Sequence, residues 1–179
     1  MIYLSSDLHF GHNREFIYGA RGFSNVEEMN EAIVERFNSV IKEDDDLYLL
    51  GDLMLGDNNN IDYVKRLNGR IHIVLGNHDG DTREQLYKTL PNVVEIEKAI
   101  HLRYKKLYFY LSHFPAITEN FDNINWWNLH GHIHSNQIQA YPQYPATLHV
   151  GVDATNCYPI SIENLFNNFI IPYGQTKSI

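Results

Sequence analysis

Five short apolar runs in this chain each end at a polar cluster whose side chains can hold a cation, and that recurrence limits the possible folds more than any bulk property. Ile2–Ser5 leads to Asp7-Leu8-His9, Leu47–Leu50 to Gly51-Asp52, and Ile71–Leu75 to Gly76-Asn77-His78-Asp79. Leu107–Leu111 leads to Ser112-His113, and Trp127–Leu129 to Gly131-His132-Ile133-His134. Short apolar runs of this kind read as buried strands. Side chains at strand ends can converge on one edge of a sheet, where ligands bind in open α/β folds.

Helical signals lie between the runs. Ser24 followed by Glu27 reads as a capping box with Ser24 as N-cap. Val26, Met29, Ile33, Val34 and Phe37 follow at helical spacing and predict a helix to about Asn38. Ile61, Val64 and Leu67 predict a second helix, stopped by Asn68-Gly69. The first half therefore alternates strand and helix, the pattern of a parallel sheet. In the second half, Ala99–Tyr104 and Leu107–Leu111 flank Lys105-Lys106 and predict a hairpin. Trp127–Leu129 and Thr147–Val150 read as further strands in a hairpin-rich region, and Ser161 as the cap of a last short helix through Phe166. The 179 residues suit one domain spanning 1–179.

Bulk properties exclude several classes. No apolar run reaches the length of a membrane span, and Met1-Ile2-Tyr3-Leu4 enters a strand directly, so neither a membrane anchor nor a leader is expected. Cys157 is the single cysteine, which rules out an intrachain disulfide and a thiolate metal site and points to a reducing, cytoplasmic setting. The net charge of −8 argues against non-specific nucleic-acid binding. Two divalent cations would nevertheless place about four positive charges beside Asp7, Asp52 and Asp79, and bound ions invert a local field. One crevice of an acidic protein can then attract a phosphate.

On a strand, residues i and i+2 share a face, so His132 and His134 would point together, as would Asp7 and His9. Gly51, Gly76 and Gly131 free the backbone for tight turns. The ordered set D-x-H, G-D, G-N-H-D, H and G-H-x-H resembles the calcineurin-like metallophosphoesterase superfamily over positions 7 to 134, with no motif missing. The longer start Asp7-Leu8-His9-Phe10-Gly11-His12, and Gly151-Val152-Asp153, are similar to a compact bacterial and phage branch of it.

That resemblance implies a four-layer α/β/β/α sandwich of two mixed β-sheets flanked by helices. It implies one metal held by Asp7, His9 and His134, a second by Asn77, His113 and His132, and Asp52 bridging the two. Imidazole and carboxylate ligands suit manganese first, with iron, zinc or nickel as alternatives. Two such metals lower the pKa of a shared water, so that hydroxide can attack phosphorus, and clamp the phosphoryl oxygens. The resemblance makes His78 the general acid for the leaving group, and the neighbouring Asp79 reads as the carboxylate that orients its ring, as carboxylates commonly do for working histidines. It also sets His12 toward the substrate phosphate. Arg14 and Arg21 in the same early loop are candidates for a second phosphate or a nucleotide, and Asn156 for the crevice wall. His72, His101, His130 and His149 receive no role, and Trp126-Trp127 reads as core.

The expected activity is hydrolysis of a small phosphodiester such as a nucleotide or cyclic nucleotide, with no membrane partner. A nucleic-acid end or a phosphomonoester would use the same groups. The rival from another class is a protein-binding scaffold that keeps the fold and lacks the chemistry. A decayed site should have lost ligands, and this chain keeps all seven together with His78.

Overall fold

The computed structural model of this protein describes residues 1–118 and 125–176. Its first sheet has the order β4-β3-β2-β1-β9, built from β1 (Ile2–Ser5), β2 (Asp46–Leu50), β3 (Arg70–Val74), β4 (Val93–Glu97) and β9 (Ile160–Ser161). The first four run parallel, with Leu4 opposite Tyr48 and Tyr48 opposite His72, while β9 pairs antiparallel to β1. The second sheet has the order β5-β6-β7-β8, from Ala99–Tyr104, Leu107–Ser112, Trp126–His130 and Thr147–His149.

Alternation along the strands explains the layers. Tyr3, Leu47, Leu49, Ile71 and Ile73 face a core shared with the helices, whereas Leu4, Tyr48, Leu50 and Val74 face the second sheet. Phe109, Leu111, Trp127, Leu129 and Leu148 meet them from the opposite side. Two mixed sheets thus pack face to face with helices flanking them. Helix α2 (Val26–Val40) buries Val26, Met29, Ile33, Val34 and Phe37 on the outer face of the first sheet. Each such burial is worth about 1.5–3 kcal/mol, so this stripe alone fixes the helix in place. Helices α1 (Glu15–Tyr18), α3 (Ile61–Lys65) and α4 (Asp81–Tyr87) lie in the connections on that side, and Ile17, Ile61, Val64 and Tyr87 join the same core. A C-terminal helical run, from α5 (Ile162–Leu165) through Phe166–Ile170 to α6 (Ile171–Thr176), packs Phe166, Phe169 and Tyr173 against the inter-sheet core. No helix among the described residues is long and apolar enough to cross a membrane.

Three local expectations change. The N-cap of α2 is Asn25, not Ser24: its side chain accepts from Glu28 N–H at 2.8 Å, and Glu28 accepts from Ser24 N–H at 2.8 Å. The capping logic holds one residue further on. The helix also continues to Val40 rather than Asn38. Finally, β5 and β6 form the predicted hairpin, but β6, β7 and β8 are mutually parallel. Period-two patterning marks the faces of a strand and leaves its direction open.

Candidate metal centre and active site

The candidate ligands do not lie on strands. They occupy the loops that leave β1, β2, β3, β6 and β7, and five of them hold left-handed backbone: Asp7 (φ +58°), His9 (+52°), Asp52 (+55°), His132 (+71°) and His134 (+48°). Left-handed φ at a non-glycine residue is unfavourable and collects at functional sites. The i, i+2 pairs therefore converge by left-handed turns, not by the pleat expected from sequence. Backbone pairing carries the loops outward together: Asp7 N–H donates to Gly51 O and His9 N–H to Asp52 O, each at 3.0 Å.

Two glycines matter through close approach. A Cβ on Gly76 would lie 2.3 Å from Asp52 Oδ1, and one on Gly131 would lie 2.6 Å from Asp7 Oδ2 and 1.8 Å from Ser6 Oγ. Backbone amides then aim the carboxylates. His132 N–H sits 3.1 and 3.0 Å from the two Asp7 oxygens, and His78 N–H donates to Asp52 Oδ1 at 2.8 Å.

The structure brings all seven candidate ligands together. Asp7, His9 and His134 each present a ligand atom within 4.8 Å of the others, and so do Asp7, Asp52 and His113. His9 Nε2 lies 3.2 Å from His134 Nε2, and His113 Nε2 lies 2.9 Å from Asn77 Oδ1 and 3.2 Å from His132 Nδ1. Asp52 Oδ2 stands between the groups, 3.7 Å from His9 Nε2 and 3.5 Å from His113 Nε2.

Tautomers test whether cations fit. His113 Nδ1 faces the Leu50 carbonyl at 2.9 Å, and His134 Nδ1 faces the Asp153 carboxylate at 2.9 Å. Both oxygens only accept, so each Nδ1 carries the proton and, in the neutral ring, Nε2 turns a lone pair inward. Burial pushes His9 down to about 2 and also lowers His132, which keeps both rings neutral. Burial pushes Asp7 up to about 6, against the pull of His134 and His113. Lone pairs and carboxylate oxygens are thus crowded into one place, with Asp7, His9, Asp52 and His113 buried at its floor and Asn77, His132 and His134 open to solvent at its mouth. The residues present fit divalent cations bound through nitrogen and oxygen.

A second layer of contacts sets the geometry. Asp153 accepts from Arg21 Nε at 2.9 Å as well as from His134, and Arg21 also donates to the backbone oxygens of Asp7 at 2.8 Å and Leu8 at 3.0 Å. Burial alone would raise the Asp153 carboxyl, but the hydrogen bonds from His134 and Arg21 hold it well below the usual carboxylate range. This corrects the expectation for Arg21, whose buried guanidinium is spent on the protein rather than on a substrate. Asp153 is the residue whose role the sequence reading missed. Its signal in the sequence was the segment Gly151-Val152-Asp153, and a Cβ on Gly151 would lie 3.0 Å from Asp7 Oδ2.

Asp79 is corrected as well. It does not hold the His78 ring. Its Oδ2 accepts from Asp52 N–H at 2.6 Å and Gly76 N–H at 3.0 Å, and its Oδ1 from Tyr87 Oη at 2.7 Å and Leu53 N–H at 3.3 Å. His78 is 43% exposed at the side chain, with Nε2 3.9 Å from Asp52 Oδ2, so it stands at the mouth of the site. His12 is half-buried 5.3 Å from the His9 ring, and its ring abuts the exposed Phe16. Arg14 is exposed at the N-terminal end of α1. Asn156 lines a cleft of 630 Å³ with His134, Asp153 and Ser135.

Two histidines given no role, His130 and His149, are fully buried beneath the site, with His149 Nε2 3.9 Å from Asp7 Oδ2. Burial lowers each to about 4. His72 is bound instead by Asp46 and Glu95 on the first sheet, and His101 lies exposed against Tyr110 and Trp126. Trp127 is core, as expected, while Trp126 is only half-buried and stacks on Tyr108 at 4.9 Å.

Loops at the edge of two facing sheets, carrying Asp, Asn and His toward a shared cation site, define a metal-dependent phosphoesterase architecture. The chain belongs to the calcineurin-like phosphoesterase family, whose profile matches residues 1–174. It is 35% identical over 170 residues to an uncharacterised protein of Methanocaldococcus jannaschii, covering 90% of this chain and 87% of that one. Among solved structures, a protein of unknown function from Aquifex aeolicus superposes with a TM-score of 0.72 at 25% identity, over 92% of this chain and 97% of the other. An archaeal phosphodiesterase shares the fold with a TM-score of 0.52 at 17% identity, over 84% and 81%. Membership makes this chain one of a family of metal-dependent hydrolases of phosphate esters.

Proposed function

We propose that this protein hydrolyses phosphodiesters at a site built for two divalent cations, manganese first among them. In this reading Asp7, His9 and His134 hold one cation, Asn77, His113 and His132 hold the other, and Asp52 lies between. The observation that carries it is the convergence of these acceptor atoms at 2.9–3.9 Å around Asp52 and Asp7. Neighbouring ligands on one cation with bonds of about 2.0–2.2 Å stand roughly 3 Å apart, so the donor set is already spaced for occupation. Bound there, the cations supply Lewis acidity that activates water and offsets charge on the phosphoryl oxygens.

The chain's own residues do the rest. Asp52, fixed by its bond from His78 N–H, sets the spacing between the two halves of the site. His78, exposed at the rim with Nε2 free to face an ester oxygen, protonates the leaving group. His12, beside His9, faces the phosphate. A diester is favoured over a monoester because open clefts flank the histidine cluster on both sides. One of 480 Å³ borders His113, and one of 630 Å³ borders His134, so two ester arms can be seated at once.

Metal analysis of the purified protein, followed by hydrolysis of a bis-aryl phosphate with and without chelator, tests the reading. Two equivalents of metal and chelator-sensitive turnover are expected; metal without turnover would favour the scaffold. The acid is tested by His78→Asn across esters of rising leaving-group pKa. The variant should keep its metal and lose about 10²–10⁴-fold, most for alkyl and least for nitrophenyl leaving groups. A flat loss across the series would remove the proton from His78.

A further inference from the structure

We infer that the cleft beside His113 is a subsite for the flat, uncharged base of a nucleotide ester, with Phe114 as its stacking face. This rests on the phosphodiester reading above and names the substrate class for one of its two arms. Phe114 is a large apolar side chain left 50% exposed directly after a candidate ligand. Its ring lies 4.6 Å from the His132 ring and 5.0 Å from the His113 ring, so a group stacked on its open face is within one ester arm of the phosphate position. The turn that carries the ring is also held in place. Ser112 Oγ donates to Phe114 O at 2.7 Å, and Ala116 N–H donates to Asn128 Oδ1 at 2.9 Å, pinning the turn on both sides. Fixing a contact before binding removes an ordering penalty.

Charge decides among the possible arms. The 480 Å³ cleft is in the range of small-molecule sites, about 300–1,000 Å³. Besides Phe114 and Pro115 it is bordered by Tyr110, Lys98, Asp81 and Glu84. Glu84 is engaged by Lys88 at 2.6 Å. Three lining carboxylates, Asp79, Asp81 and Glu84, against one lining lysine disfavour a second phosphate, so the arm is not a polyphosphate. Asp79 is already taken by protein donors, whereas Asp81 and Glu84 offer oxygens at the edge of the cleft, which suits a ring bearing an exocyclic amine. An aromatic wall for the π-face and acceptors at the edge are the recognition chemistry of a single unpaired base. A plain alkyl arm would leave the acceptors unused.

Calorimetric titration of the manganese-loaded protein with adenosine 5′-monophosphate and with ribose 5-phosphate tests the subsite without relying on turnover. The base should tighten binding about tenfold to a hundredfold. Phe114→Ala should bring the two ligands to within about twofold of each other while ribose 5-phosphate binds as before, and Phe114→Trp should restore the difference. Equal binding of the two ligands by the wild type, or an equal loss of both in Phe114→Ala, would overturn the inference. Hydrolysis of a bis-aryl phosphate, run in parallel, reports on the phosphodiester reading by itself. Turnover without a base preference removes only the subsite. A base preference without turnover removes only the catalysis.

Discussion

Replacing Asp79 separates what the sequence implied from what the structure assigns. If this carboxylate oriented His78, Asp79→Ala would lower turnover and leave folding almost untouched. The structure instead gives it four donors, Asp52 N–H, Gly76 N–H, Leu53 N–H and Tyr87 Oη, at a side chain only 4% exposed as a residue. Truncation strands those donors in the interior. Each buried donor left unsatisfied costs about 1–3 kcal/mol, so four at the low end give roughly 4 kcal/mol. That is a large share of the ~5–15 kcal/mol that holds a domain folded. Asp79→Asn keeps an acceptor for the Asp52 and Gly76 amides and should lose about half as much. Tyr87→Phe removes one donor and should lose about 1 kcal/mol. Urea unfolding monitored by circular dichroism should be done in chelator, because metal bound only to the folded state would mask the difference. The order of midpoints should be Asp79→Ala lowest, then Asp79→Asn, then Tyr87→Phe, then wild type. An Asp79→Ala protein within 0.5 kcal/mol (about the error of such extrapolations) of wild type, yet slow on esters, would refute the scaffold role and return Asp79 to His78.

Three further outcomes follow from the contacts described. Gly131→Ala drives a methyl into Ser6 Oγ and Asp7 Oδ2 and should destabilise by about 1–3 kcal/mol, with metal loss by elemental analysis; full occupancy and an unchanged midpoint would deny the close approach. Asp153→Ala unties both Arg21 and the His134 ring, so one equivalent of metal should weaken by about 10–100-fold in a competition titration while the other holds, and equal weakening of both would contradict the assignment. Lys106→Gly relieves a left-handed residue (φ +74°) in the β5–β6 turn and should raise stability by about 0.5–1 kcal/mol, read as a small rise in Tm; a fall would mean the side chain supports the turn.

Much of this was legible from the chain. Strands announce themselves by burial, and the stripe from Val26 to Phe37 placed α2 because a helix must hide one face. The seven clustered side chains were readable because their ordered motifs, nearly all at the ends of apolar runs, resemble those of the family. Other features leave no local trace. Arg21 and Asp153 are 132 positions apart, and nothing near either residue foretells their pairing. Asp79 reads as a partner for its neighbour His78 until the fold delivers Asp52 and Leu53, 27 and 26 positions away. The parallel run of β6, β7 and β8 depends on long connections between the strands, which leave no mark in the strands' own patterning. The strand geometry expected of the two i, i+2 pairs failed for a different reason: Asp7-x-His9 and His132-x-His134 satisfy a pleat's periodicity while their backbone adopts left-handed turns.

Those five left-handed positions invert the usual meaning of a loss-of-function change. Each L-residue there gives up about 1–2 kcal/mol relative to ordinary backbone, which glycine would not. A His9→Gly protein should therefore lose a cation and, measured without metal, gain in resistance to unfolding. Random selection for heat tolerance would drift toward glycine at these positions and extinguish activity as it did so. What keeps Asp and His there is selection for chemistry against the grain of folding, and a thermostabilised variant of this enzyme should be built everywhere except on these loops.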